Sequence, residues 1–63
     1  MKGTIKRMVR DKGFGFVRGE DGIERFFHKS GCPVFGDLRE GEKVQFEPED
    51  STRGPRAYDV ERV

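Results

Sequence analysis

The sequence predicts an all-β domain, a small five-stranded barrel occupying residues 1–63. Glycine and proline recur at short intervals and separate brief segments, a pattern typical of strands joined by tight turns. No segment keeps the apolar spacing of a helix for more than one turn. Because 32% of the 63 residues are hydrophobic and 40% are charged, the core must be small and the surface heavily ionised.

Five candidate strands lie between these breaks. They cover residues 4–9, 14–18, 23–28, 43–47 and 56–63. In the first strand, Met8 and Val9 are adjacent apolar residues that strict alternation cannot both place inside, and a bulge would resolve the conflict. Asp21 and Gly22 form a turn signal that joins the second and third strands as a hairpin. Residues 37–40 allow one helical turn at most.

Alternation gives the second and third strands two chemically different faces. The outer face carries the phenyl rings of Phe14, Phe16 and Phe26 together with the imidazole of His28. The inner face contributes to a predicted barrel interior with the other strands. That interior comprises Ile5, Val17, Ile23, Phe27, Val44, Phe46 and Val60. Arg25 shares the inner parity, so it either lies at a barrel mouth with a carboxylate partner or distorts the strand.

The sequence has too few cysteine and histidine residues for a stabilising disulfide or metal site. Cys32 is the only cysteine and His28 the only histidine, which excludes an internal disulfide and a four-ligand zinc site. We expect Cys32 to be a small buried residue in a turn, and we expect neither metal nor cofactor. No apolar stretch approaches the length of a membrane span or a signal-peptide core. The sequence therefore predicts a soluble cytoplasmic protein with no membrane partner.

Charge is unevenly distributed along the chain. Residues 1–30 hold eight Lys or Arg against four acids, a balance of +4, whereas residues 31–63 hold five against eight, a balance of −3. A polyanion senses the local field rather than the total of +1, and the first half is distinctly positive.

The predicted outer face combines aromatic rings with positive charge. If the second and third strands pair, the three phenyl rings and His28 form one patch suited to unstacked nucleobases, each stack contributing about 1–3 kcal/mol. Five cations would surround this patch and follow the phosphates: Lys6, Arg7, Lys12, Lys29 and Arg53. The competing interpretation buries the three Phe as core residues, but a small barrel could not hold both sets.

Two segments resemble the ribonucleoprotein motifs of the cold-shock domain family. Residues 12–17 (KGFGFV) resemble the first motif and residues 25–28 (RFFH) the second, and the similarity extends through Gly54 and Pro55 to nearly the whole chain. This resemblance implies a five-stranded antiparallel OB-fold barrel that binds single-stranded RNA or DNA. It further implies an RNA chaperone that influences transcription or translation.

The resemblance also implies roles for individual residues. Stacking on bases is implied for Phe14, Phe16, Phe26 and His28. An aromatic residue that the family uses in a loop corresponds to Phe35. Contacts to the backbone or to base edges are implied for Lys6, Lys12, Glu24 and Arg53. Two positions depart from the bacterial pattern, since Arg7 stands where tryptophan is usual and Lys29 where phenylalanine is usual. Both changes exchange a stacking surface for a charge, so we expect a greater reliance on phosphate attraction.

Other functions are less consistent with the residues. The segment Gly13 to Gly15 lacks the following helix and the Lys-Ser/Thr pair of a phosphate loop. His28 lies near Ser30 but has neither an orienting acid nor a pocket that excludes water, so we expect no enzymatic activity. A protein-interaction module using the same exposed aromatic and Arg surface is the alternative. We expect a monomer, with a domain-swapped dimer as the other open state.

Overall fold

Five strands close into one barrel in the computed structural model, which describes residues 1–63. The strands are β1 (Lys2–Val9), β2 (Phe14–Gly19), β3 (Glu24–His28), β4 (Lys43–Ser51) and β5 (Gly54–Arg62), with 3₁₀ turns at Lys29–Gly31 and Phe35–Asp37. The order around the barrel is β1-β2-β3-β5-β4. Neighbours are antiparallel except β3 and β5, which are parallel. The predicted all-β, five-stranded barrel is confirmed, with this one parallel pair.

The core is a single cluster of ten buried side chains inside the barrel. Its members are Ile5, Val17, Phe27, Cys32, Phe35, Leu38, Val44, Phe46, Ala57 and Val60. All but one of the predicted interior residues belong to it, and Cys32 is buried as predicted. Phe35 and Leu38 enter from the connection between β3 and β4, which alternation within strands could not indicate.

Ile23 is the predicted core residue that the structure places outside. It is 44% exposed and lies in the turn before β3, where its backbone N–H donates to the Asp21 carboxylate at 3.1 Å. Gly22, at φ 82°, makes this turn possible. The prediction was wrong because the hairpin turn extends to residue 23, one position past the point where alternation begins.

Arg25 faces the inside of β3, as its parity predicts. The side chain is buried, and its two Nη atoms donate to the Asp21 carboxylate at 3.1 and 2.8 Å. The guanidinium also lies 5.6 Å from the ring centroid of Phe46. Of the two predicted alternatives, Arg25 therefore follows the first, a position at the barrel mouth with a carboxylate partner. A buried guanidinium is tolerated when it is paired with a carboxylate. The Arg25 guanidinium holds the pKa of Asp21 at about 2, below its usual value of 3.8.

A bulge in β1 reconciles Met8 and Val9 with the barrel. Ile5 pairs with Val17 but Arg7 pairs with Phe16, so Lys6 is the extra residue. Beyond the bulge the alternation is restored with Met8 packed against the core. Both Lys6 and Arg7 are thereby exposed side by side, which an unbroken strand could not achieve.

The fourth strand is longer than predicted. It continues through Pro48, which pairs with Ala57, to Ser51. Beyond Gln45, β4 pairs only with β5, and a proline is tolerated at such an edge because no second ladder needs its missing N–H. A second register shift lies between Gln45 and Glu47 of β4. In the facing segment of β5, Asp59 adopts φ 51°.

Candidate functional site

Three phenylalanine rings form a cluster on the outer surface of β2 and β3, and we call Phe14, Phe16 and Phe26 the aromatic cluster. The register pairs Phe16 with Phe26 and Phe14 with His28. Ring centroids lie 5.9 Å apart for Phe14 and Phe16, 5.4 Å for Phe14 and Phe26, and 6.0 Å for Phe16 and Phe26. The rings are half-buried against one another and are separate from the core cluster.

Gly15 allows the aromatic cluster and the core to occupy opposite sides of β2. Phe27 lies directly across the ladder from Gly15, and a Cβ at position 15 would fall 2.7 Å from the Phe27 ring. The missing side chain thus leaves room for Phe27 inside while its neighbours face outward.

His28 extends the aromatic cluster along β3 with an oriented ring. Its Nδ1 accepts a hydrogen bond from the Ser30 backbone N–H at 3.1 Å and lies 2.9 Å from the Ser30 hydroxyl. An accepting Nδ1 places the proton of the neutral ring on Nε2. The contact restricts rotation of the imidazole and leaves Nε2 as a donor.

The predicted cations lie on the strands and turns adjoining the cluster. The bulge exposes Lys6 and Arg7, and Arg7 pairs with Phe16 across the ladder. Lys12 lies in the turn between β1 and β2. Lys29 follows β3, where its backbone N–H donates to Gly13 at 2.9 Å and its aliphatic chain passes over that glycine. Arg53 lies in the turn between β4 and β5 and lines a cleft beside Phe26 and His28.

Two residues singled out from the resemblance lie apart from these. Glu24 is exposed at the first position of β3, opposite Arg18, at the far end of the strand from His28. Phe35 lies in the core with 9% exposure, its ring centroid 6.1 Å from that of Phe27. Its ring therefore has little accessible surface and is not part of the aromatic cluster.

Arg56 and Tyr58 adjoin the cluster but were missed from the sequence. The Arg56 guanidinium carbon lies 5.0 Å from the Phe26 ring centroid and 5.5 Å from that of Tyr58. Position 56 meets Phe26 through the parallel β3–β5 pairing. No local sequence signal indicates a non-local parallel contact, so alternation within β5 could at best have placed both residues on one face.

A basic groove lies at the other end of β2. It has a volume of about 550 Å³ and is lined by Lys2, Gly3, Thr4, Lys6, Arg18, Gly19, Glu20, Lys43, Val44 and Val63. Arg18 and Lys43 lie on either side of Thr4, on β2 and β4. Of the four cations, only Lys6 was singled out from the sequence. Because Arg18 shares its strand face with Phe16, the groove continues the surface that carries the aromatic cluster.

The remaining ionic features support the barrel. Arg62 pairs with Glu42 and lowers the pKa of that carboxyl, while burial raises the pKa of the Cys32 thiol. The structure has no cluster of three or more metal-ligating side chains. None of its helical turns has the length or the hydrophobicity needed to cross a bilayer.

Known proteins are similar in sequence to this chain over nearly all of their length. The family model described as the "Cold-shock" DNA-binding domain matches residues 1–63. Cold shock protein 1 of Lactiplantibacillus plantarum is 48% identical over 60 residues, which cover 92% of this chain and 91% of that protein. The major cold shock protein of Streptococcus pyogenes is 39% identical over 64 residues, 98% and 96% of the two chains. Cold shock-like protein CspC of Bacillus cereus is 40% identical over 65 residues, 100% of both.

Proposed function

The chain belongs to the cold-shock DNA-binding domain family, and on that premise we propose that it binds single-stranded RNA or DNA by stacking bases on its aromatic cluster and His28. Cations around the cluster hold the phosphates. In the cell this binding would keep transcripts unpaired, as an RNA chaperone that influences transcription or translation.

One observation carries the proposal, the exclusion of three phenylalanine rings from a core that is already filled. Burying a phenyl side chain contributes about 1.5–3 kcal/mol, a large gain for a 63-residue chain. The aromatic cluster nevertheless lies outside the ten-residue core, on the strand pair that also carries His28. Rings kept partly in water are suited to a partner with flat faces, and unstacked bases provide them.

Stacking and charge together set the expected strength of binding. Three phenyl rings and one imidazole provide about 4–12 kcal/mol at about 1–3 kcal/mol per stack. Association opposes this by at least about 4 kcal/mol. Stacking thus leaves up to about 8 kcal/mol, equivalent to a Kd near about 1 μM, and with the phosphate contacts added we expect affinity near the micromolar range for a heptanucleotide.

The unusual cations shift the balance toward electrostatic attraction. Arg7 pairs with Phe16 across the β1–β2 ladder, and Lys29 follows His28 directly. Five phosphate contacts on a single strand correspond to a logarithmic salt slope of about −3.5. An Arg guanidinium can in addition stack on a base. Arg7 therefore partly replaces the aromatic ring of the tryptophan that is usual at this position.

Titration with labelled heptathymidine and heptauridine at several salt concentrations tests the proposal. We expect the resonances of Phe14, Phe16, Phe26 and His28 to shift with either ligand. Arg7→Gln should weaken binding and reduce the salt slope by about 0.7. Ile23→Ala, which removes an exposed apolar side chain from the hairpin turn, is the matched control and should bind as the wild type does.

Two results would contradict this assignment. If neither oligonucleotide shifts the phenyl resonances, the aromatic cluster is not a base-stacking surface and its rings would serve a protein partner instead. If Arg7→Gln and the wild type have equal salt slopes, Arg7 does not contact phosphate.

A further inference from the structure

Arg56 is held between two aromatic rings without a charged partner. Its guanidinium carbon lies 5.0 Å from the Phe26 ring centroid and 5.5 Å from that of Tyr58. Glu49 is its partner across the β4–β5 ladder, yet the only ion pairs in the protein are Arg25–Asp21 and Arg62–Glu42. The Arg56 Nε is buried without a hydrogen-bond partner. The side chain is thus positioned by packing, and because its Nε is enclosed, only its two terminal nitrogens are open to a ligand.

A cleft beside this guanidinium can accept a single nucleotide. Its volume is about 380 Å³, and its lining residues are Phe26, His28, Arg53, Pro55 and Arg56. This volume is at the lower end of the range for small-molecule sites, about 300–1,000 Å³. The lining combines flat rings with two guanidinium groups, which is the chemistry that a nucleotide requires.

The arrangement along β3 determines what Arg56 would contact. Phe26 and His28 lie two residues apart on one strand face, a spacing of about 7 Å. Because the guanidinium of Arg56 covers part of Phe26, a base stacked on His28 would lie beside the guanidinium rather than above it. The terminal nitrogens would then face the edge of that base. Ser30 restricts rotation of the imidazole, so the base would be held in a defined plane.

We propose that Arg56 selects guanine at the position stacked on His28. A guanidinium forms two parallel hydrogen bonds to the O6 and N7 acceptors of guanine. Adenine replaces one of these acceptors with a donor, and pyrimidines lack the N7 acceptor. The inference rests on the proposed base-stacking function and adds to it a base preference at one position.

The experiment uses heptathymidine and seven derivatives, each with a single guanine at a different position. We expect one derivative to bind the wild type about 5- to 150-fold more tightly than the same sequence carrying adenine there, the range corresponding to one bidentate contact. Replacing that guanine with 7-deazaguanine removes the N7 acceptor and leaves the stacking surface intact. This substitution should abolish most of the preference, and it requires no change to the protein.

Variants assign the preference to Arg56. Arg56→Lys retains the positive charge but lacks the planar pair of donors, so its affinity for the guanine derivative should fall to that for the adenine derivative and the guanine preference should be lost. Arg53→Lys, in the same cleft, is the matched control and should retain the preference. Backbone amide spectra of the free variants report whether each one is folded.

Several outcomes would overturn the inference. No guanine preference at any position, equal binding of guanine and 7-deazaguanine, or a preference that survives in Arg56→Lys would each exclude base-edge recognition. If Arg56→Gln weakens all sequences alike and reduces the salt slope by about 0.7, Arg56 contacts phosphate instead. These results would leave the proposed function intact as long as heptathymidine binds, whereas absence of binding to every oligonucleotide would remove both.

Discussion

The outer surfaces of β2–β3 and of β4–β5 belong to one barrel but differ in chemistry. The first carries the aromatic cluster and His28, with Arg7 on the adjoining strand. The second carries acidic side chains, and another concave region there is lined by Met1, Gln45, Phe46, Glu47, Asp59 and Glu61. Arg56 and Tyr58 lie between the two surfaces. A protein with a net charge of +1 can therefore attract a polyanion to one side while repelling it from the other.

The largest loss of affinity is expected when the aromatic surface is removed. Phe14→Leu combined with Phe16→Leu retains apolar side chains but loses two stacking faces, about 2–6 kcal/mol of binding free energy. Affinity for heptathymidine should fall by at least about 30-fold with little change in salt slope, as measured by fluorescence titration. A decrease below about threefold in a variant that still unfolds cooperatively would show that these rings do not stack on bases.

The next effect tests whether the aromatic surface depends on the barrel beneath it. In Gly15→Ala the new Cβ would lie 2.7 Å from both the Phe27 ring and the Arg7 carbonyl oxygen. We expect unfolding in urea to show a loss of about 1–3 kcal/mol, typical of overpacking. Gly36→Ala is the control, because nothing lies within 4 Å of its added Cβ and the substitution restricts the unfolded chain. Equal stability of Gly15→Ala and the wild type would mean that Phe27 can move without consequence.

Acid should destabilise the fold by protonating Asp21, the ion-pair partner of Arg25. The pKa of Asp21 is about 2 in the folded protein, below its usual 3.8, chiefly because Arg25 donates hydrogen bonds to the carboxylate. A lowered folded pKa contributes stability that is fully present above pH 4 and is lost as the pH falls through 2. Thermal unfolding between pH 5 and 2 should therefore show a declining Tm. Asp21→Asn should reduce Tm at pH 5 and flatten this decline, and an unchanged profile in that variant would assign the acid sensitivity to Glu42.

The smallest effect concerns repulsion from the acidic surface. Glu49 lies across the ladder from Arg56, so Glu49→Gln should strengthen binding of heptathymidine by about twofold at low salt, as expected for one charge at about 10 Å in water. The difference should disappear near 1 M salt, where the Debye length is about 3 Å. Weaker binding in this variant would indicate that Glu49 accepts a hydrogen bond from the ligand.

The features predictable from sequence are those governed by neighbours along the chain. Alternation placed Val17 and Phe27 inside and Phe16 and Phe26 outside, because both strands belong to one hairpin with a recognisable turn. The same rule failed at Ile23, where the Asp21 carboxylate accepts a hydrogen bond from the Ile23 backbone N–H and extends the turn beyond the point at which alternation begins.

Features that depend on distant segments could not be predicted in this way. Whether Phe35 is accessible depends on how the β3–β4 connection closes over the barrel, and the structure packs its ring against Phe27. The position of Arg56 depends on a parallel pairing with no local signature. The strand limit at residue 47 was wrong because Pro48 occupies an edge, and a sequence does not indicate which strands lie at edges.

Cys32 gives the molecule an internal reporter. The residue is 1% exposed, burial raises the pKa of its thiol, and no second cysteine competes with it. Reaction with a disulfide reagent thus requires the β3–β4 connection around Cys32 to open, so the rate of labelling in the unmodified protein measures the frequency of that opening. A ligand spanning β3 and β5 would slow that reaction even if it never approached the sulfur atom.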